Sequence, residues 1–226
     1  MDQSTTVVDA RGEHHGQHNP NLQHHFATFE QQFDAAKIGM WLFLATEILL
    51  FGGLFVGFAL SQAAHPQAFV EAHHHLDKTL GALNTVVLLF SSFTMVMAVY
   101  SSATNQRNKT IVYLIITLLC AAAFLVVKYF EYSHKFHDGL LPGLFYSHKG
   151  DIVPNQFIFF SFYFMMTGLH GLHIVGGMVA IGWVLRRTIR GDFDSTYYSP
   201  VVLVGLYWHL VDLIWIYLFP LLYLIS

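Results

Sequence analysis

Five ionisable residues sit where charge is most expensive. Glu47 falls inside WLFLATEILLFGGLF, His170 and His173 inside TGLHGLHIVGG, and His209 and Asp212 inside YWHLVDLIWIYLFPL. The rest of each stretch is largely apolar. A carboxyl or imidazole at hydrocarbon depth turns toward protein or a wet cavity and finds a partner. The chemistry open to such groups is proton exchange, hydrogen bonding between helices, or metal ligation. Glu47 either ties helices together or, carrying its proton, donates a hydrogen bond or exchanges that proton. His209 and Asp212 are three apart, so a hydrogen bond between them is predicted, as glue or as a proton path. His170 and His173 are also three apart, and imidazole is a common metal ligand. Neither helix offers a second histidine for stacked haems, and a copper or iron site wants further ligands. No metal site is expected. In KYFEYSHKFHDG, Glu131 either pairs with Lys128 or leaves that lysine to snorkel to the interface. Tyr129 and Tyr132 suit an aromatic belt.

The elements that must hold these residues follow from composition. The chain has 226 residues, 54% hydrophobic and 11% charged, against about 25% charged in a soluble domain. Apolar runs cover 38–60, 80–100, 111–129, 157–185 and 201–225. Each is near or above the ~20 residues a helix needs to cross the hydrocarbon. Backbone groups in lipid must be satisfied within the segment, so the spans are helices. The fold class is all-α, a polytopic bundle of five transmembrane helices over 37–226. Residues 1–36 read as a polar, largely disordered tail containing His14, His15, His18, His24 and His25. No signal peptide is expected.

Depth and phase then place the polar groups. At about 1.5 Å per residue, Glu47, His170, His173, His209 and Asp212 all come near mid-membrane. At about 100° per residue, Tyr163, Thr167, His170, His173 and Gly177 share one helix face, and Gly205, His209 and Asp212 another. Gly53 and Gly57 form a GxxxG pair, with Gly39 and Thr46 on the same side, which suits close helix packing. Glu47 points about a quarter-turn away.

Lysine and arginine set the orientation. Arg11, Lys37, Arg107, Lys109, Arg186, Arg187 and Arg190 fall on the side of the tail; Lys78, Lys135 and Lys149 fall opposite. The N-terminus is therefore predicted in the cytoplasm and the C-terminus outside. Net charge is −3, which gives no sign of nucleic-acid binding. Cys120 is the only cysteine, so no internal disulfide is available and packing is its expected role. The glycines of GLHGLHIVGG follow no strand, so they are not a dinucleotide motif. No inverted repeat of the kind carriers use is visible, and a haem-binding membrane cytochrome finds no support in the histidine spacing.

KIGMWLFLATEILLFGGLF, LNTVVLLFSSFT, KYFEYSHKFHDG, TGLHGLHIVGG and YWHLVDLIWIYLFPL together resemble subunit III of the haem–copper oxygen reductases. The likeness runs from about residue 37 to the C-terminus and is nearest the short five-helix bacterial cytochrome c oxidase form. The resemblance implies a noncatalytic subunit in a cell membrane, beside a catalytic subunit I and a subunit II, with cytochrome c as donor to the complex. Haem and copper then belong to the partner subunits, and this chain binds phospholipid and supports proton uptake. It places the carbodiimide-reactive glutamate on Glu47, the paired histidines on His170 and His173, the WHxVD segment on Trp208, His209 and Asp212, and the EY pair on Glu131 and Tyr132. Arg187 and Arg190 fall where basic residues lie near a lipid headgroup, with His173 and Glu47 beside the same cleft. Two positions depart from longer members: Val56 replaces a tryptophan and Val202 a glutamate. A quinol oxidase subunit III and an accessory protein of nitric oxide reductase are the neighbouring alternatives.

Overall fold

The computed structural model describes residues 26–74, 76–137, 139–140, 155–193 and 197–224. Among them the chain forms six helices: α1 (Phe29–Ala64), α2 (Pro66–His73), α3 (Lys78–Ala103), α4 (Arg107–His137), α5 (Gln156–Arg190) and α6 (Ser199–Tyr223). All but α2 are long and apolar enough to cross a membrane.

Local chemistry fixes the helix ends. Thr28 caps α1 by accepting the Gln31 backbone N–H at 3.2 Å, and Asp77 caps α3 through the N–H groups of Thr79 and Leu80. Gly191 closes α5 with φ of 85°, a left-handed angle that glycine adopts without penalty. Pro200 stands in the first turn of α6, where its missing N–H costs nothing.

Helices α3, α4, α5 and α6 form a ring in which each packs on the next and α6 closes on α3. Inside lie Trp208, Trp215, Tyr163, Tyr223, Phe124, Leu88 and Met95, all fully buried. Helix α1 leans on the outside of the ring against α5 and α6, and α2 bridges α1 and α5. Close approach of α5 and α6 depends on Gly177: a Cβ there would lie 2.7 Å from the Trp208 ring.

Several boundaries differ from the sequence reading. Helix α1 begins at Phe29, so the end of the supposed tail is the first turns of a helix; residues 1–25 lie outside the described residues. Helix α4 continues past 129 to His137 because its charged residues find partners inside the bundle. Helix α2 was not anticipated. Its signal is Pro66 in the first turn, followed by Ala68, Phe69 and Ala72 on one buried face. Phe69 meets Phe58 and Phe159 at centroid distances of 5.1 and 5.5 Å.

The glycine face of α1 is not a seam within this chain. A Cβ at Gly57 would meet Phe162 at 3.3 Å, but Gly39 and Gly53 face open space. Helix α1 contacts α5 through aromatic rings instead, Phe51 on His173 and Phe58 on Phe159 and Phe162.

Candidate functional site

Glu47 of α1 and His173 of α5 meet across the helix interface, with Oε2 and Nε2 2.8 Å apart. The other ring nitrogen, Nδ1, lies 2.8 Å from the Leu169 carbonyl oxygen. A carbonyl only accepts, so Nδ1 carries a hydrogen and donates it. That fixes what the second contact holds. Either Glu47 is protonated and donates to Nε2, or imidazolium donates to the carboxylate. One proton is shared, and the pair is neutral overall in both forms. Both side chains remain about one-seventh exposed, 14% and 15%, so the proton is reachable from outside the bundle. Phe51 packs edge-on against the imidazole, and the Tyr207 hydroxyl donates to the His173 carbonyl at 3.0 Å.

A second polar centre lies within the ring. Glu131 Oε2 accepts from Lys128 Nζ at 2.9 Å, and Oε1 accepts from the Tyr163 and Tyr223 hydroxyls at 2.9 and 2.5 Å. Lys135 Nζ stands 3.7 Å from Oε1. Lys128 also donates to the Tyr223 oxygen at 2.7 Å and lies 4.7 Å above the Trp215 ring centre. All these charged groups are buried. A buried carboxylate is tolerated only when its lone pairs are filled, and here both oxygens are. The sequence suggested the Lys128–Glu131 pair. It missed Tyr163, Tyr223 and Lys135, since only tertiary packing brings α5 and α6 to α4. Lys128 does not snorkel. Tyr132 bonds the Thr167 hydroxyl at 2.5 Å, whereas Tyr129 alone of the two tyrosines faces outward.

The other predicted residues separate. His170 does not accompany His173: it is fully buried, stacked on Trp215 at 5.2 Å and edge-on to Phe124, with neither ring nitrogen hydrogen-bonded. A three-residue step turns the two rings about 60° apart on the helix, enough to send one inward and one toward α1. The predicted His209–Asp212 bond is absent. His209 Nδ1 instead bonds the Ser92 hydroxyl of α3 at 2.7 Å, and both Asp212 oxygens are buried without a bond of good geometry. Among the described residues, no three histidine, cysteine or acidic side chains group so as to hold a metal.

At the other end of the bundle, Arg187 bonds Asp192 at 3.0 Å and is caged by the rings of Trp183, Phe193 and Tyr197. Arg190 is exposed. Beside them an apolar slot of about 300 Å³ opens between Phe33 of α1, Trp183 of α5 and Leu203 of α6. Arg107 of α4 donates to the Thr188 and Ile189 carbonyls, tying the end of α5 to the bundle.

Five long apolar helices with neutralised polar centres define a polytopic membrane protein whose described residues carry no metal-ligating cluster. The sequence matches the cytochrome c oxidase subunit III family over residues 12–226, and the chain belongs to that family. The match starts earlier than residue 37 and takes in part of the histidine-rich segment. A probable cytochrome c oxidase subunit 3 from Nocardia farcinica is 30% identical over 189 residues, covering 84% of this chain and 87% of that protein. A probable quinol oxidase subunit 3 from Staphylococcus aureus is 28% identical over 190 residues, covering 84% and 89%.

Proposed function

We propose that this chain is the noncatalytic third subunit of a proton-translocating cytochrome c oxidase, sitting beside a haem- and copper-bearing subunit I and accompanied by a subunit II. The observation that carries the reading is the Glu47–His173 pair, a single shared proton at the membrane-facing side of a bundle that belongs to the subunit III family. The shared proton moves between carboxyl and imidazole with no change in net charge; giving it to the partner leaves one negative charge on Glu47, which a proton taken up at the partly exposed pair then cancels. The pair serves as a local proton reservoir that supports uptake by the partner; oxygen reduction takes place in subunit I. The N-terminus lies in the cytoplasm and the C-terminus outside, following the excess of Lys and Arg at one end.

Phospholipid is the ligand of this chain itself. Arg187 and Arg190 are the residues for its phosphate, the neighbouring slot suits an acyl chain, and Glu47 and His173 face the cleft between α1 and α5. Glu131, His170, His209, Asp212 and the α1 glycines Gly53 and Gly57 serve assembly. Gly53, open within this chain, offers a surface to a neighbouring subunit.

Purification in mild detergent tests the reading. Companions that carry haem, together with a chain that has no haem absorbance of its own, are expected; the chain running alone would overturn it. A second reading, subunit III of a quinol oxidase, is favoured by the nearly equal likeness to the Staphylococcus protein. A copper centre in the companion subunit II separates the two.

A further inference from the structure

Helices α3 and α6 present a shared outer face. On α6, Val202, Leu206, His209, Leu213 and Ile216 follow steps of four, three, four and three, which puts them on one stripe. On α3, Leu89, Phe93, Val96 and Tyr100 follow the same spacing, and each is at least half exposed. Between the two stripes lies a groove of about 370 Å³, lined in part by Val96, Tyr100, Leu206 and His209.

His209 interrupts the apolar stripe at depth. It stands ten residues after Ser199 and fourteen before Tyr223, roughly 15 and 21 Å from the ends of α6. Its Nδ1 lies 2.7 Å from the Ser92 hydroxyl oxygen. Among the described residues Nε2 bonds nothing, and it is not sealed in the interior either. A neutral imidazole carries one hydrogen. If Ser92 donates to Nδ1, Nε2 holds that hydrogen and needs an acceptor; if Nδ1 donates, Nε2 needs a donor. In both tautomers one polar valence is left open at mid-bilayer depth. Acyl chains offer no hydrogen-bonding atom there, and lipid headgroups lie roughly 15 Å away. A second membrane-spanning helix can bring a polar side chain to that depth, because its own backbone is satisfied internally.

We propose that the α3–α6 face docks a transmembrane helix of a companion chain, and that a hydroxyl or carboxamide side chain of that helix hydrogen-bonds His209 Nε2. Hydroxyl and carboxamide groups both donate and accept, so either serves whichever tautomer Ser92 holds. The apolar members of the two stripes supply packing. The single polar contact among them sets the register, as a lone polar residue does in a coiled-coil seam. The proposal rests on the oxidase-subunit reading only in needing a companion chain.

A benzophenone-bearing phenylalanine placed at Leu213, half exposed on the same stripe, tests it in the assembled complex in its own membrane. Irradiation is expected to join that position to a membrane span of a co-purifying companion, with a serine, threonine, asparagine or glutamine within a helical turn of the joined residue. Joining to lipid alone, to a quinone or to a second copy of this chain would overturn the proposal. His209→Leu should weaken retention of the companion against rising detergent by about three- to thirty-fold. His209→Gln, which keeps a donor and an acceptor, should restore it. Equal retention in His209→Leu and wild type would also overturn the proposal. If His209→Leu does not fold, the cross-link in the otherwise wild-type chain still decides. Haem-bearing companions that co-purify while position 213 joins only lipid would end this inference and leave the oxidase-subunit reading standing; a chain that purifies alone would end both.

Discussion

Glu47 and His173 share one proton across 2.8 Å, because the Leu169 carbonyl already claims the hydrogen on the other imidazole nitrogen. The backbone of α5 thereby sets the protonation logic of a residue on α1. This explains a carboxyl in the middle of an apolar span. It is paired with a group that takes up its charge whichever way the proton moves.

Glu47→Gln keeps a hydrogen bond, since the amide N–H can donate to Nε2, but removes the mobile proton. The complex is expected to assemble normally and to lose activity faster over successive turnovers than wild type. Oxygen consumption followed to exhaustion, at several pH values, checks this. An unchanged lifetime and pH profile would leave the pair a structural tie. Glu47→Ala leaves Nε2 unpartnered and should cost about 1–3 kcal/mol of stability in addition.

The Lys128–Glu131 network predicts an unequal response to its two sides. Glu131→Gln removes the carboxylate charge that Lys128 bonds and Lys135 approaches inside the bundle and should destabilise by roughly 3–5 kcal/mol. The double substitution Lys128→Met with Glu131→Gln should be milder than Glu131→Gln alone, because one orphaned charge goes with its partner. Thermal inactivation of the detergent-solubilised complex measures both. A double variant worse than the single one would mean the cluster does more than neutralise charge.

Gly177 and Gly53 predict opposite outcomes for the same change. Gly177→Ala drives a methyl group toward Trp208, whose indole N–H bonds Ser91 at 2.8 Å, and should cost about 1–3 kcal/mol. Gly53→Ala meets open space within this chain. Its effect on the fold should be small, so lost association with companion subunits in that variant would locate a partner on α1.

His73, in α2 outside the membrane spans, gives a pH prediction. Burial pushes its imidazole below the ordinary 6.5, with His74 and Lys78 acting the same way and the Val70 carbonyl and Glu71 opposing. The folded form then binds fewer protons than the unfolded one, so local stability rises with pH between the lowered value and 6.5 and falls on acidification. Protection of the α2 amides, measured relative to free peptide at each pH, should fall as pH drops through that window in wild type and stay level in His73→Phe. A wild type whose exchange follows the ordinary pH trend of free peptide would refute it.

The spans and the mid-depth polar residues were legible in the sequence because both are one-dimensional signals: run length and position within a run. The Lys128–Glu131 pair was legible for the same reason, being three residues apart on one helix. Partners on other helices were not. Nothing in the local sequence says that Tyr223 reaches Glu131 across 92 residues, or that Ser92 displaces Asp212 as the partner of His209. The face shared by His170 and His173 was real in helical projection. Projection ignores that a ring of helices has an inside and an outside, and a 60° step crosses between them.

The tie from Tyr223 to Lys128 and Glu131 also bears on biogenesis. Helix α4 enters the bilayer with its ion pair well before the last turn of α6 has been synthesised. Until that final tyrosine arrives, the carboxylate lacks its shortest bond and the ammonium one of its acceptors. A polypeptide cut short within α6 would keep the earlier spans but leave the buried Glu131 and Lys128 without the Tyr223 hydroxyl that both of them bond.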